Sequence, residues 1–401
     1  MDACARAGWR GAPAAERVPV ADGLSRVTAA PVRARWPVPC SACAAMDGIA
    51  IAADSVAALA NAPGPAELKA SAFTWVDTGD PIPEGLDTVV ERERVEPGAD
   101  GSVLITGPVP SGLHVRAIGE DFPAGQLLIP AGHRLRPVDL AAAAAAGHAT
   151  LELARVPVVA IIPTGDEVRP AGSSLQPGQV TDSNSLMLAA RASESGAQSL
   201  VGEVLPDQPD VIAAAVQAAA TRADLVLVIA GSSAGRRDHT ARVLAGIGRV
   251  VVRGVAVRPG HPVLLGYAAV SRDRPGRAGP VVPVIGVPGY PLAAAVIFEL
   301  FAVPLIAALL GGRPPDRVVQ WAQLGCDWAS SPDIEDWVPV SLTPAPASRG
   351  TGPALVATPG RRGAAAISRH MRADGWWRIP VGQAKFVRGE HIAVHPIPGA
   401  L

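Results

Sequence analysis

Carboxylate side chains follow three predicted strands of this 401-residue chain, at the points where each strand ends. They are Glu167, Asp207 and Asp238. Ligands of open α/β sheets bind outside the carboxyl ends of the strands, so these residues are candidates for one site. Mg²⁺ takes hard oxygen ligands and bridges to phosphate oxygens, and several carboxylates beside an anion-binding loop would suit it. Asp also favours caps and turns, which leaves a purely structural interpretation open.

Two glycine-containing turns lead into predicted helices near these carboxylates. One is the segment Gly231–Asp238 and the other is Val287–Pro291. The backbone N–H groups of such turns, at the positive end of a helix dipole, can bind a phosphate or another oxyanion. A Gly-Ser turn before a helix is more often only a cap. The residues alone therefore predict an α/β protein that binds a phosphorylated ligand, with Mg²⁺ as a candidate partner.

The elements that would position these residues begin near Arg155, where apolar strands alternate with helices. Val158–Ile162 is an uninterrupted apolar run, which is typical of a strand buried on both faces. Further strands are predicted over 199–205, 225–230, 250–257 and 282–286, and helices over 184–195, 210–222, 238–245 and from about Pro291. This alternation predicts a doubly wound parallel sheet.

The regions on either side of this α/β part have a different pattern. Up to about Ala154, short apolar segments separated by Pro, Gly and Asp predict a mostly β region with one helix over 137–147. After Pro314 the chain returns to short strands and turns, which predict a small separate β-barrel or sandwich. The predicted fold class is therefore α/β and β multidomain.

Composition limits the class of partner. With 49% hydrophobic residues the chain can form several cores, since a single core stops growing near about 250–300 residues. Lys and Arg number 35 against 36 Asp and Glu, which argues against nucleic acid or an anionic membrane as the main partner. The longest apolar run, Pro291–Leu310, is interrupted by Glu299 and Pro304 and favours a buried helix over a membrane span. A soluble cytoplasmic protein is expected.

Several short segments match the signatures of one family. Three of them are shared with related molybdopterin-binding domains: Thr164–Glu167, Asp182–Asn184 and Gly231–Asp238. The more specific segments flank or follow these: Ala45–Gly48, Thr78–Gly85, Arg116 with Gly119–Asp121, Pro259–Pro262 and Pro288–Pro291. In this order they resemble the molybdopterin molybdotransferases, the MoeA and gephyrin E-domain family, over nearly the whole chain.

The resemblance implies four domains and a homodimer. The domains would be a discontinuous linker domain over 15–45 and 132–154, an elongated β domain over 46–131, a molybdopterin-binding α/β domain over 155–312 and a C-terminal β-barrel domain over 313–401. The implied active site lies between the α/β domain of one subunit and the β domain of the other. Other cofactor-biosynthesis proteins are further candidate partners.

The implied reaction inserts molybdate into adenylylated molybdopterin with Mg²⁺ and releases AMP. The resemblance assigns metal binding to Glu167 and Asp238. It assigns catalytic roles to Asp47, Thr78, Arg116, Asp121, Asp207 and Arg258. The residues it assigns to the bound pterin nucleotide are Thr164, Gly165, Gly231, Ser232, Ser233, Gly235, Pro259, Gly260, Pro288 and Gly289. The guanidinium of Arg116 would suit molybdate, because it offers a fixed fork of donors to an oxyanion.

The chain departs from the family pattern where the family carries lysines near the molybdate and phosphate. Those positions are Gly254, Arg258 and His261, and the chain has only two lysines, Lys69 and Lys385. Arg258 keeps the charge, Gly254 has no side chain, and a histidine carries a full charge only when it is protonated. We therefore expect an altered molybdate end of the pocket beside a retained nucleotide–pterin end.

Two other functions stay open. A non-catalytic homologue could bind molybdopterin, molybdate or a partner protein as carrier, scaffold or regulator, and the altered lysine positions favour it. The same fold could also act on a different nucleotide-linked substrate, since a fold does not fix chemistry. Retention of the acidic residues Asp47, Glu167, Asp207 and Asp238 favours the molybdotransferase.

Overall fold

Two units make up the computed structural model of this chain. The first unit contains Met1–Glu16 and Ala154–Leu401, and the second contains Arg17–Leu153. The second unit is thus an insertion between two parts of the first. The structure describes residues 1–9, 11, 15–54, 65–229, 239–270, 280–312, 318–345, 355–361, 363, 365 and 367–397.

A six-stranded sheet forms the centre of the first unit. Its strand order is Gln198–Val201, Val158–Pro163, Leu225–Ile229, Val281–Val287, Leu264–Ala269 and Gly248–Arg253. The first four strands are parallel, and the last two pair antiparallel to their neighbours. The parallel strands bring their carboxyl ends, and the turns that follow them, to one edge of the sheet.

Helices pack their apolar faces on this sheet. They are Asn184–Glu194, Pro209–Arg222, His239–Ile247 and Pro291–Leu309, and the last contains a π-helical segment at Phe298–Ala302. Pro209 and Pro291 each stand in a first helical turn, where no backbone N–H is needed. Ile212, Val216 and Ala220 follow a four-residue spacing and are fully buried against the sheet.

The helix Pro291–Leu309 has 19 residues and is long and apolar enough to cross a membrane by length and composition. Of its most apolar window, 61% is buried within the protein. Phe298 and Ile306 are among its fully buried side chains. It is packed as a core helix of the first unit.

A closed β-barrel forms near the end of the first unit. Its strands, in order, are Glu335–Pro344, Leu355–Pro359, Gln320–Leu324, His391–Pro396 and Gly375–Ile379, and the last pairs again with the first. Val340, Trp377 and Val394 are buried in its core. Shorter elements of the first unit are Asp2–Arg6, Val168–Arg169, Val180–Thr181, Val257–Arg258, Trp328–Ala329, Ile367–Met371 and Lys385–Phe386. The barrel confirms the predicted β fold of this region.

Short antiparallel strands dominate the second unit. Gly48–Ile51 lies between Phe73–Val76 and Thr88–Glu91. A second small sheet has the order Ala66–Leu68, Val103–Ile105 and Val95–Pro97. The other strands along this part of the chain are Ala15–Pro19, Val32–Arg33, Cys43–Ala44, Val115–Arg116, Leu127–Ile129 and Thr150–Ala154. An α-helix spans Pro137–Ala145, and 3-10 helices span Val20–Asp22, Ala70–Ala72 and Arg92–Arg94.

The predicted doubly wound parallel sheet is confirmed over four strands, and the structure adds antiparallel pairings at one end. Leu264–Ala269, which the sequence did not predict, runs antiparallel to both of its neighbours, so the edge strand Gly248–Arg253 has the direction of the four parallel strands but no parallel partner. Gly266 weakens the strand pattern of Leu264–Ala269. A Cβ at Gly266 would lie only 2.4 Å from the carbonyl oxygen of Arg249, so the close strand approach requires glycine. The four predicted domain boundaries stay predictions.

Candidate active site

The turn that follows the strand Val158–Pro163 is held by both neighbouring strands. Thr164 is buried, and its N–H and its hydroxyl both donate to Ile229 O, at 3.0 and 3.1 Å. The N–H of Gly165 donates to Leu205 O at 3.0 Å. This residue has a φ of 141°, a backbone conformation that favours glycine. These hydrogen bonds fix the position, at the edge of the sheet, of the two acidic residues that follow, Asp166 and Glu167.

Asp207 lies beside those two acidic residues. Its N–H donates to Asp166 Oδ1 at 3.2 Å, and its own Oδ1 atom is buried without a hydrogen-bond partner among the described residues. Burial raises the pKa of the Asp207 carboxyl, and the negative charges of Glu167 and Asp166 raise it further, against an opposing effect of His239. A buried carboxylate oxygen without a partner costs free energy that a bound cation would offset. The arrangement favours a cation next to Asp207.

The start of the helix Asn184–Glu194 brings two more predicted segments together. Asn184 donates from Nδ2 to Gly289 O at 2.8 Å, while its buried Oδ1 meets no hydrogen-bond partner in the described ranges. Asp182 caps the helix, since its Oδ1 accepts the N–H of Ser185 at 3.0 Å. The first contact ties the predicted turn at Pro288 and Gly289 to the sheet edge that carries the carboxylates.

A cavity of about 710 Å³ opens beside these side chains. This volume lies within the roughly 300–1,000 Å³ range of small-molecule sites. Asp166, Asp182 and Ser185 contribute polar groups to its wall, and Leu186 and Val201 contribute apolar ones. The Ser185 hydroxyl is buried, and none of the described residues is its hydrogen-bond partner. Sequence reasoning missed Ser185, although it directly follows the Asp182–Asn184 motif.

Part of the predicted site lies outside the described residues. This part consists of Gly231, Ser232, Ser233, Gly235 and Asp238. Within the described part of the chain, no group of three or more His, Cys, Asp or Glu side chains is placed to hold a metal ion. Glu167 and Asp207 are therefore at most a portion of a metal site.

In the second unit, Asp47 and Thr78 form a hydrogen-bonded pair. Thr78 donates both its hydroxyl and its N–H to Asp47 Oδ1, each at 2.7 Å. These bonds, together with the charge of Arg92, hold the pKa of the Asp47 carboxyl below its usual range. The result is an exposed carboxylate that stays ionised at neutral pH and has a fixed orientation.

The Arg116 guanidinium binds two carboxylates of its own segment. Its Nε lies 3.2 Å from Glu120 Oε1, and one terminal nitrogen lies 2.9 Å from Asp121 Oδ2. The predicted catalytic residues Arg116 and Asp121 are therefore direct partners. The side chain of Arg116 remains 37% exposed, so part of its donor fork is accessible.

Three predicted segments of the second unit meet at the strand Cys43–Ala44. Val115–Arg116 pairs with it antiparallel. The N–H of Ala44 donates to Asp80 O at 2.9 Å, and Ala44 O accepts the N–H of Gly79 at 2.8 Å. Asp47 follows this strand by three residues. The fold thus brings Asp47, Thr78 and Arg116 into one neighbourhood, although they are far apart in the chain.

Arg258 forms an ion pair that the sequence did not predict. Its Nε lies 3.1 Å from Oδ1 of Asp336, a buried residue of the barrel, and the guanidinium also contacts Oδ2. Ser330 donates to the same carboxylate at 2.8 Å. Because Arg258 and Asp336 are 78 residues apart, no local sequence signal could have shown the pair. The charge of Arg258 is compensated within the protein.

Gly254 and His261, two positions at which the lysines of the family pattern are missing, lie next to each other in the structure. A Cβ at Gly254 would lie 3.3 Å from His261 O and 3.5 Å from its ring atom Cε1. Gly254 also has a φ of 73°, in the left-handed region where side chains are strained. The Nδ1 of His261 lies 2.7 Å from Val255 O, which fixes the ring. A lysine side chain at position 254 would meet both obstacles.

A second cavity, of about 430 Å³, contains several of the predicted binding residues. Pro259, Gly260 and Pro288 line it, together with Trp328 and Trp337, which were not predicted. Among the predicted residues, Gly165 lines the first cavity, whereas Arg258, Pro259, Gly260 and Pro288 line the second.

Three family models match successive parts of the chain. They are the MoeA N-terminal region (domain I and II) over residues 2–147, the Probable molybdopterin binding domain over 160–308 and the MoeA C-terminal region (domain IV) over 322–397. Together they account for most of the sequence in the order that MoeA proteins have.

Similar proteins carry consistent names. The molybdopterin molybdenumtransferase of Nostoc sp. is 32% identical over 71% of this chain and 67% of its own length. The Haemophilus influenzae protein of the same name is 32% identical over 59% of this chain, and the match spans only 56% of that relative. The crystal structure of the molybdopterin biosynthesis MoeA protein from Pyrococcus horikoshii matches with a TM-score of 0.81 and 29% identity, covering 98% of this chain and 96% of that one.

Proposed function

This chain belongs to the molybdopterin molybdenumtransferase family, and from that premise we propose that it inserts molybdate into adenylylated molybdopterin, with Mg²⁺, and releases AMP. Membership places the protein among the transferases of molybdenum cofactor biosynthesis. The observation that carries the finer proposal is the sheet edge at which Asp166, Glu167 and Asp207 lie together: an Asp207 oxygen has no hydrogen-bond partner among the described residues, and Asp166 lines an open cavity.

Mg²⁺ suits the residues at this edge. Glu167 and Asp207 would hold it together with Asp238, and substrate phosphate oxygens would complete the ligand set. Mg²⁺ is usually bound in this way, through one or two carboxylates plus phosphates. When bound, the ion supplies charge stabilisation at the phosphate oxygens. Without a cation, the negative charges around Asp207 would repel the phosphates of the substrate.

The second unit supports the proposal through two hydrogen-bonded side-chain pairs, Asp47 with Thr78 and Arg116 with Asp121. The ionised Asp47, held by Thr78, can accept hydrogen bonds or a proton at a fixed position. Arg116 can share its donor fork between Asp121 and an oxyanion such as molybdate. We propose that these residues complete the site across a homodimer, and that the protein works in the cytoplasm with other cofactor-biosynthesis proteins as partners.

One assay tests this function. The purified protein is incubated with adenylylated molybdopterin, Mg²⁺ and molybdate, and AMP release is followed. We expect release that depends on both Mg²⁺ and molybdate. Release that is unaffected by chelation of divalent cations would contradict the metal assignment. The absence of any release would contradict the transferase itself.

A non-catalytic homologue is the second candidate, and one observation favours it. Asp336 already compensates the charge of Arg258, and a lysine at position 254 would be both strained and obstructed. On this hypothesis the protein would bind adenylylated molybdopterin tightly and release no AMP. Equilibrium binding measured on the same preparation as the assay separates the two functions.

A further inference from the structure

His114 has a backbone conformation that is unusual for a residue with a side chain. Its φ is 51°, and among the described residues only Ser25 shares a positive φ without being glycine. Such outliers persist where the surrounding structure enforces them, and they are concentrated at functional sites. His114 directly precedes the strand Val115–Arg116.

The backbone on either side of this left-handed residue binds two different strands. Leu113 O accepts the N–H of Val89 at 2.9 Å, and His114 O accepts the N–H of Ala45 at 2.8 Å. The turn at His114 therefore links the strand Thr88–Glu91 to the segment that leads into Asp47. The two attachments are made by adjacent residues, Leu113 and His114.

The side chain of His114 reinforces the same link. Its Nε2 lies 3.0 Å from Glu91 Oε2. Both side chains are less than one-third exposed, His114 at 32% and Glu91 at 21%. Glu91 is paired in register with Gly48, the residue after Asp47. A Cβ at Gly48 would lie 1.9 Å from Val90 O, so the two strands approach each other too closely there for any residue but glycine.

We propose that His114 is a positioning residue that holds Asp47 and Arg116 at a fixed separation. Arg116 is two residues beyond it, and Asp47 is reached through both the Ala45 hydrogen bond and Glu91. The inference rests on the proposed function, since Asp47 and Arg116 are catalytic only in a transferase. A residue required for the turn alone would be replaced by asparagine without loss, because asparagine tolerates the left-handed region.

The test compares His114→Asn with a matched control, His133→Asn. His133 makes an equivalent contact in the same unit, with Nε2 2.7 Å from Asp139 Oδ2, away from the residues assigned to the reaction. We expect His114→Asn to lower kcat for AMP release at least about tenfold, with the KM for molybdate little changed, because small misplacements of reacting groups are costly. His133→Asn should keep the wild-type kcat even if its Tm falls.

Two further measurements keep the inference falsifiable. Glu91→Ala should lower kcat as His114→Asn does. Glu91→Gln, which keeps a hydrogen-bond acceptor, should retain most of the wild-type kcat. If the His114→Asn protein does not fold, the two Glu91 variants take its place in the comparison. Hydrogen exchange at the Ala45 amide should accelerate by about tenfold or more in His114→Asn, because its local opening becomes easier.

The possible outcomes are distinct. Wild-type kcat and unchanged Ala45 exchange in His114→Asn would overturn the positioning role. If the wild-type protein releases no AMP, the proposed function fails by itself, and the Ala45 exchange rate alone then decides whether His114 fixes the two segments.

Discussion

Asp207 is the residue at which the charges of the sheet edge are least balanced. Burial and two neighbouring carboxylates raise its pKa, and its Oδ1 has no hydrogen-bond partner in the part of the chain that the structure describes. The motif around Glu167 and the strand end before Asp207 were visible in the sequence, so their common edge could be predicted. The pairing of Arg258 with Asp336 could not, because it joins two strands 78 residues apart.

Asp207→Asn should stabilise the metal-free protein at neutral pH. A carboxyl whose pKa is raised on folding contributes stability at low pH that is lost as the pH rises through the folded-state pKa. The amide cannot ionise, so at pH 8 the variant should melt about 1–3 °C above the wild type. The difference should vanish below about pH 4, where the carboxyl is protonated in both states.

The same variant tests cation binding. Mg²⁺ should raise the Tm of the wild type and leave that of Asp207→Asn unchanged, since the amide lacks the charge that holds the ion. Differential scanning fluorimetry with and without Mg²⁺ measures both effects. A wild-type protein that is more stable than the variant at pH 8 without Mg²⁺ would contradict the unbalanced charge at Asp207.

Asp336→Asn should weaken the fold and release Arg258. The carboxylate is buried, and removing its charge leaves the guanidinium uncompensated, at a cost of about 2–4 kcal/mol in the free energy of unfolding. The freed fork should then bind molybdate more tightly than in the wild type, as measured by calorimetry. Asp333→Asn, at an exposed position in the same segment, is the matched control. Equal molybdate affinity in all three proteins would show that Arg258 does not face the oxyanion.

At the scale of elements, proline and glycine made most boundaries predictable. The helices Asn184–Glu194 and Pro209–Arg222 begin and end within a residue of their predicted positions, because a proline or a cap starts them and a turn ends them. Strand direction was not predictable in this way, since an apolar run has the same pattern whichever way it is paired. The reversed direction of Leu264–Ala269 was therefore not visible in the sequence, and Gly266 also weakens the strand pattern there.

The N-terminus of the helix Pro137–Ala145 depends on one buried carboxylate. Asp139 accepts the N–H of Arg136 at 2.7 Å and its guanidinium at 2.9 and 3.0 Å, and His133 lies 2.7 Å away. Arg136 first, and His133 after it, hold the pKa of the Asp139 carboxyl well below its usual range. Hydrogen bonds to a charged group contribute more to stability than neutral ones. This cap should therefore contribute strongly to the free energy of unfolding.

Asp139→Asn should therefore lower the free energy of unfolding by about 1.5–3 kcal/mol at pH 7. A carboxyl with a lowered folded-state pKa contributes stability above its ordinary pKa and loses it as the pH falls through the folded-state value. The difference between the two proteins should thus narrow as the pH is lowered below about 4. Urea unfolding of both proteins at pH 7 and at pH 3 measures this difference in the free energy of unfolding. The same difference at both pH values would contradict a stabilising, ionised Asp139.

At the scale of the whole molecule, the two units have separate cores. Ile49, Val90 and Ile105 form one buried cluster of the second unit, and Leu135 and Leu153 belong to another. Both clusters lie entirely within Arg17–Leu153. The inserted segment therefore has its own apolar interior, which is the requirement for independent folding.

The excised fragment Arg17–Leu153 should fold alone and melt in one cooperative transition, as single domains of this size usually do. Far-UV circular dichroism against temperature provides the measurement. The fragment with Ile49→Asp, which places a charge in a fully buried position, should show no such transition. A gradual, non-cooperative melt of the unaltered fragment would mean that its cores depend on the rest of the chain.

The first nine residues give this insertion a consequence for synthesis on the ribosome. Cys4 and Trp9 are buried against Val281 and Leu309, which follow the inserted unit in the chain by more than a hundred residues. At about 5–20 residues per second, those partners emerge roughly 15–60 s after Trp9 has left the tunnel. During that interval the inserted unit can complete its fold, while the apolar N-terminal segment stays exposed. Cys4 and Trp9 therefore gain these buried partners only after the whole inserted unit has been synthesised.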